Sequence, residues 1–246
     1  MTERSMMSQI EAKPGTTVTK VMLEGLPDPV ARYLTVTGVE GARIPHGVSL
    51  QQVGRMRSAN ESSWMRLTAE ETYTTDPPGF DWQAAVRYLG IPVIRPHDSY
   101  RGGLGRMQIK LARLFTLGDF RGEEMDQASL MRYVNEMVWF PTAFLLGNVS
   151  WEPVDDRSAV VTLADRGRRA SATMYFDEAG RVTNFVARRH RHLAGAEFSL
   201  DEWATPFTEY GEANGLRVPI AGRAEWRLDS GLLSYAELRV TRITYD

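Results

Sequence analysis

Glu136 and Arg132 stand four residues apart in Gly122–Leu146, the only long stretch whose apolar residues recur at helical spacing, and the bulky Trp139 and Phe140 follow directly. A carboxylate beside large apolar side chains loses hydration, its pKa rises, and it can then give or take a proton near neutrality. The base rate of i,i+4 pairs favours a plainer reading, an ordinary ion pair on the helix surface. Glu136 is nevertheless the first-choice functional carboxylate. A second group is His97-Asp98-Ser99-Tyr100. Strand alternation puts His97 and Ser99 on one face and Asp98 and Tyr100 on the other, so no preassembled triad follows, and no Gly-x-Ser-x-Gly elbow is present. If the chain were an enzyme, Glu136 or Asp98 would be its general base, and His97 or Arg132 would stabilise developing negative charge.

Arg188-Arg189-His190-Arg191-His192 is the third group. His190 and His192 have the i,i+2 spacing of metal ligands on a strand, but the surrounding cations would repel a metal and neither HExxH nor a carboxylate-rich loop appears. A solvated basic strand is the favoured reading, with Arg189 and Arg191 able to hold an anionic head group bidentately. No metal and no cofactor is assigned. Asp155-Asp156 reads as a turn.

These side chains must be placed by a β-rich frame. Leu130, Val134, Met137 and Val138 form one face of a helix near 124–140, with Glu123, Glu124 and Asp126 at its amino end and Pro141 stopping it. A shorter helix opens at Asp28-Pro29 and runs to Gly38. Elsewhere the apolar period is two, as in Phe80, Trp82, Ala84, Val86 and in Met107, Ile109, Leu111. Short turns such as Asp76-Pro77-Pro78-Gly79, Gly102-Gly103 and Asn214-Gly215 force antiparallel neighbours. The expected fold class is mainly β (α+β): a single curved antiparallel sheet, or half-barrel, of about ten strands wrapped over one central helix. Residues 1–24 read as a loosely ordered tail and 25–246 as one domain.

Composition narrows the function classes. The 246 residues contain no cysteine, which removes disulfides, thiolate metal sites and cysteine nucleophiles. A net charge of −2 gives no electrostatic reason to expect nucleic acid. No apolar run reaches the length of a membrane span and the first twenty residues lack a secretory hydrophobic stretch, so the sequence reading is cytoplasmic.

Ala69-Glu70, Asp76-Pro77-Pro78-Gly79-Phe80, His97-Asp98-Ser99-Tyr100, Arg132-Tyr133, Glu136, Trp139-Phe140-Pro141-Thr142-Ala143, Trp151 and Trp203 together resemble an uncharacterised bacterial family, in which a WFPTA segment lies between an AE…PPGF region and a closing strand pair. The resemblance runs from about Leu26 to the end and implies a shared fold and pocket rather than a reaction. Tyr210–Pro219 is also similar to a hairpin of lipoprotein-localisation-type carriers, where a curved sheet half-encloses helices and a lipid cavity.

The leading expectation is a binding or carrier protein for a small hydrophobic or amphipathic ligand. Tyr100, Tyr133, Trp139 and Phe140 would line its pocket, with Arg189 and Arg191 near the mouth. The alternative is a metal-independent hydrolase or isomerase acting on a hydrophobic substrate in the same cavity.

Overall fold

The computed structural model describes residues 12–88, 90–112, 114–193 and 197–246; the first eleven positions of the expected tail lie outside the described residues. Among the described residues, fourteen strands form one antiparallel sheet. The first arm is a meander of β1 (Gly47–Met56), β2 (Met65–Thr75), β3 (Pro78–Tyr88), β4 (Ile91–Arg101), β5 (Leu104–Leu111) and β6 (Phe115–Phe120). Helix α2 (Glu123–Glu136) follows, α1 (Asp28–Thr37) having preceded β1. The second arm is β7 (Val149–Asp155), β8 (Ser158–Asp165), β9 (Arg168–Phe176), β10 (Val182–His192) and β11 (Phe198–Ala204). The chain then adds β12 (Phe207–Ala213), β13 (Leu216–Leu228) and β14 (Gly231–Tyr245).

The strand order β6-β5-β4-β3-β2-β1-β14-β13-β11-β10-β9-β8-β7, with β12 on β13, makes the hairpin β13–β14 the keel between the arms. Helix α2 connects the two edge strands, and it touches β3, β4 and β5 of one arm and β9 and β10 of the other. Strands so far apart in the order meet one helix only because the sheet curls around it, as strand twist accumulated over many strands favours. The result is a half-barrel with α2 across its concave face.

Alternation sets which side chains enter that space. In β2, Leu67, Ala69, Glu71, Tyr73 and Thr75 are buried and the residues between them exposed. Helix α1 buries Val30, Tyr33 and Leu34 and ends at Gly38, whose φ of 84° supplies the left-handed C-cap that other residues resist. Tyr33 packs on Phe144 and Phe176 at ring-centroid distances of 6.3 and 5.4 Å, and Tyr73 on Phe140 at 4.9 Å. These aromatic contacts fill one end of the half-barrel.

Three expectations are corrected. The strand count is higher than ten, because β6 lacks apolar alternation and stays mostly exposed, and because the chain between β10 and β13 forms two strands, β11 and β12, divided around Pro206. Helix α2 stops at Glu136 rather than near Phe140: Met137–Trp139 tightens to a 3₁₀ turn, and Phe140 adopts the non-helical backbone that a residue before proline prefers. The presumed loose tail is packed from Ala12, since Ala12 and Val18 are buried and Thr17 bridges to Arg43. Among the described residues no helix is long and apolar enough to cross a membrane.

The seating of α2 on β5 depends on Gly105. A Cβ there would collide with the Met125 carbonyl oxygen and lie 2.6 Å from Ser129 Oγ. Gly105→Ala is expected to cost about 1–3 kcal/mol, because a helix carbonyl cannot yield without shifting α2. Urea unfolding should show a lower midpoint at unchanged slope, and an unaltered midpoint would show the contact to be soft.

Candidate functional site: an apolar cavity beside a buried ionic cluster

Between α2 and the concave face lies a cavity of about 380 Å³. Pro96, Met107, Ile109 and Phe120 wall it on the first arm, Ala128 and Trp139 on the helix side, and Trp203, Trp226, Ile220 and Leu238 on the second arm and keel. Strand register shows which end of the sheet it extends towards. The β1–β2, β3–β4, β5–β6, β10–β11 and β13–β14 turns all fall at one end of the sheet, opposite the aromatic plug. Arg189, His190, Arg191, His192 and Phe198 of the β10–β11 hairpin line the cavity towards that open end.

Deeper, Asp98, Arg132, Asn135 and Glu136 supply polar wall. Arg132 spends its guanidinium on three acids from three elements: Nη2 donates to Glu71 Oε1 of β2, Nη1 to Asp98 Oδ2 of β4 and Nε to Glu136 Oε1 of α2, each at 2.8 Å. The guanidinium carbon also lies 5.0 Å from the Phe80 ring centroid and 4.8 Å from that of Trp82, so it is stacked as well as bonded. Burial opposes the Arg132 charge, but Glu136, Glu71 and Asp98 outweigh it and hold its pKa well above the usual value.

Three acids around one cation leave surplus negative charge, which a proton relieves. Burial drives the Glu71 pKa well above the ordinary glutamate range, and Glu136 is raised for the same reason, with Arg132 countering in both. Glu136 is the better candidate for the anion, because it also accepts from Tyr73 Oη at 3.1 Å. Glu71 Oε2 has no geometrically formed hydrogen bond, and the Tyr73 hydroxyl and the Glu136 carboxyl are the groups beside Glu71. The cluster is therefore three buried acids on one arginine, two of which, Glu71 and Glu136, hold a proton more readily than a free glutamate.

The residues singled out from sequence separate. The Arg132–Glu136 pair is not a surface pair: Glu136 is 5% exposed, and the same arginine gathers Asp98 from a distant strand. His97 is not in the cavity, because alternation in β4 turns it to the convex face, where Nε2 lies 2.8 Å from Asp81 Oδ2. Tyr100, Tyr133 and Phe140 do not line the cavity either. Tyr100 donates to Asp165 at 2.7 Å, Tyr133 donates to the Thr74 carbonyl at 2.8 Å, and Phe140 belongs to the aromatic plug. Trp139 does line it, donating to the Pro219 carbonyl at 3.0 Å. Arg189 also lines it, donating to the Ala128 carbonyl while stacked 4.5 Å from the Trp203 centroid, and Arg191 pairs with Asp201 at 2.7 Å. His190 and His192 stand edge-on to Phe198, and among the described residues no three acid, histidine or cysteine side chains are grouped to hold a metal. Glu71 was missed, although a carboxylate inside the apolar stripe Leu67-x-Ala69-x-Glu71-x-Tyr73 signals a buried partnered charge.

In class, the molecule is a curled antiparallel half-barrel that holds one main helix and a mostly apolar cavity on its concave side. The chain belongs to DUF6544, a family of unknown function, which it matches over residues 16–238. No curated protein matches it. Among solved structures it is similar to a DUF1329 family protein from Desulfovibrio piger (12% identity, 94% of each chain covered, TM-score 0.48). It is also similar to a LolA superfamily protein from Nitrosomonas europaea (9% identity, 93% and 94% covered, TM-score 0.46). A third is a putative outer membrane lipoprotein-sorting protein domain from Vibrio parahaemolyticus (10% identity, 81% and 85% covered, TM-score 0.44).

Two outcomes follow from the cluster. Arg132→Met leaves buried acids without their cation and is expected to cost about 3–5 kcal/mol in chemical denaturation. Glu71→Gln should be tolerated, because the amide resembles the protonated acid. The native state retains a proton on Glu71 at pH values where the unfolded chain has lost it, so this group stabilises the fold fully below the ordinary glutamate pKa and progressively less as pH rises through its raised one. The stability difference between wild type and Glu71→Gln should accordingly shift towards the variant with rising pH across that window, and a pH-independent difference would refute the raised proton affinity of Glu71.

Proposed function

We propose that this protein binds a small hydrophobic or amphipathic molecule in the cavity between α2 and the sheet, its apolar body against Ile109, Phe120, Trp139 and Trp226. The observation that carries this reading is a cavity of about 380 Å³, the size of ligand sites in general, with apolar walls and few polar groups. Arg189 and Arg191 suit an anionic group on the ligand's outer end, since a guanidinium pairs with carboxylate or phosphate.

The state of the ionic cluster favours binding over catalysis. Arg132 has each nitrogen engaged with a different acid, so its positive charge is already balanced by buried carboxylates rather than held in reserve for developing negative charge. One observation supports the second reading, a hydrolase or isomerase acting without a metal: Asp98 is buried, lines the cavity, and its Oδ1 has no hydrogen-bond partner. A substrate C–H or water proton is the kind of group such an oxygen would accept.

Protein purified from cells and examined by native mass spectrometry should carry a lipid-like mass, and a fatty-acid and isoprenoid panel should raise its melting temperature. Ala224→Trp, which fills the cavity from β13, should abolish both signals while the fold persists by circular dichroism. Absence of a copurified mass together with a flat panel counts against binding. Asp98→Asn separates the readings: a binder keeps most of its affinity, whereas an enzyme loses about 10² or more in turnover with ligand-induced stabilisation intact.

A further inference from the structure

We propose that the open end of the half-barrel docks on an anionic lipid bilayer, with the β3–β4 and β5–β6 turns as the inserting edge. The apolar cavity wall does not stop at the cavity. Met107 and Ile109 line it on β5, and the next inward-facing residue, Leu111, lies opposite Phe115 of β6, at the tip. On β4, Pro96 lines the cavity and Ile94, the next inward position, lies opposite Leu111. This ramp ends in exposed side chains: Leu114 is 79% exposed, and Phe115 and Ile91 are 65% each. Large apolar side chains grouped at hairpin tips are a costly arrangement in water and mark a contact surface.

The charge behind the tips selects the partner. On the convex face Arg66 lies directly opposite Arg87, and Arg95 directly opposite Lys110. Like charges in these positions repel, and among the described residues none of the four has a carboxylate partner. The chain has no acidic residue from Trp82 to His97 or from Met107 to Gly118, although the whole protein carries −2. Apolar tips with a band of unneutralised cations one step inboard match the layering of a bilayer, acyl boundary outside and anionic headgroups next. A protein partner of ordinary surface composition has no reason to present that order of layers. The inference is independent of the cavity's contents: docking holds whether or not a ligand is bound.

The full-length chain should cosediment with vesicles of phosphatidylcholine mixed with phosphatidylglycerol, and weakly or not at all with phosphatidylcholine alone. Added salt should weaken the binding, since exposed cations supply part of it. The double variant Leu114→Asp, Phe115→Asp should abolish cosedimentation, and Arg95→Glu, Lys110→Glu should reduce it about ten-fold or more, a few charges near the surface being worth that much. All substituted positions are exposed or half-buried, so melting temperatures should stay near wild type; if one pair unfolds the protein, the other pair and the salt series still decide. Failure to bind anionic vesicles, or binding unaffected by both pairs, overturns the proposal. Self-association in sedimentation equilibrium that the Leu114/Phe115 pair removes, without vesicle binding, also overturns it and makes the β6 edge a contact between copies.

Discussion

Arg132 is the interaction on which the architecture rests. Its guanidinium draws together β2, β4 and α2, elements far apart in sequence, by one hydrogen bond to an acid of each. Apolar packing alone would leave a helix free to rotate or slide on a curved sheet, because hydrophobic burial is non-directional. Three directed bonds from one planar group fix its rotation and height. Such a cluster is a doubtful source of net stability, since desolvating the charges costs as much as their attraction returns. Its consequence lies in geometry: one arrangement satisfies it, and a slipped helix would strand several buried acids.

A second tie completes the frame. Asp126, in the first turn of α2, accepts from the Gly105 amide of β5 at 2.7 Å and from Arg168 of β9 at 2.6 Å, so a single side chain links the helix to both arms. The Arg132 cluster works on the first arm alone. Between them the helix is held against the sheet while the arms are kept apart by its width. The aromatic plug fills one end of the resulting space and the other end stays open. On this view the cavity is not a packing defect but what remains where neither tie nor plug reaches, and its walls stay mostly apolar because the charged groups nearest to them are gathered on Arg132.

Much of this was legible in the sequence, for reasons that are local. The helix showed in the spacing of Leu130, Val134 and Val138, its end in Pro141, and the antiparallel meander in short turns between alternating strands. The opposite facing of His97 and Asp98 also followed from alternation, although alternation does not say which face is inside. Tyr100 shared the correct face with Asp98 yet is buried outside the cavity with its hydroxyl on Asp165, because depth along a strand depends on curvature that no single strand records. The surface reading of Arg132–Glu136 failed for a similar reason: i,i+4 spacing describes one helix, and the acids that bury this pair arrive from β2 and β4. Net charge hid the most, since −2 is an average over a basic rim and acids placed elsewhere.

The proposed ligand site and the proposed docking surface explain each other energetically. An apolar molecule seated against Ile109, Phe120 and Trp226 gains roughly 25 cal/mol for each Å² removed from water, so release into water must return all of that. Release along an apolar ramp into a bilayer returns little, because the molecule passes from one apolar medium to another. The exposed Leu114 and Phe115 would then be tolerated despite their cost in solution, since the same side chains extend the cavity wall to the place where the ligand leaves it. A protein whose cavity served chemistry on a water-borne substrate would gain nothing from that extension, and a closed or polar rim would serve it better.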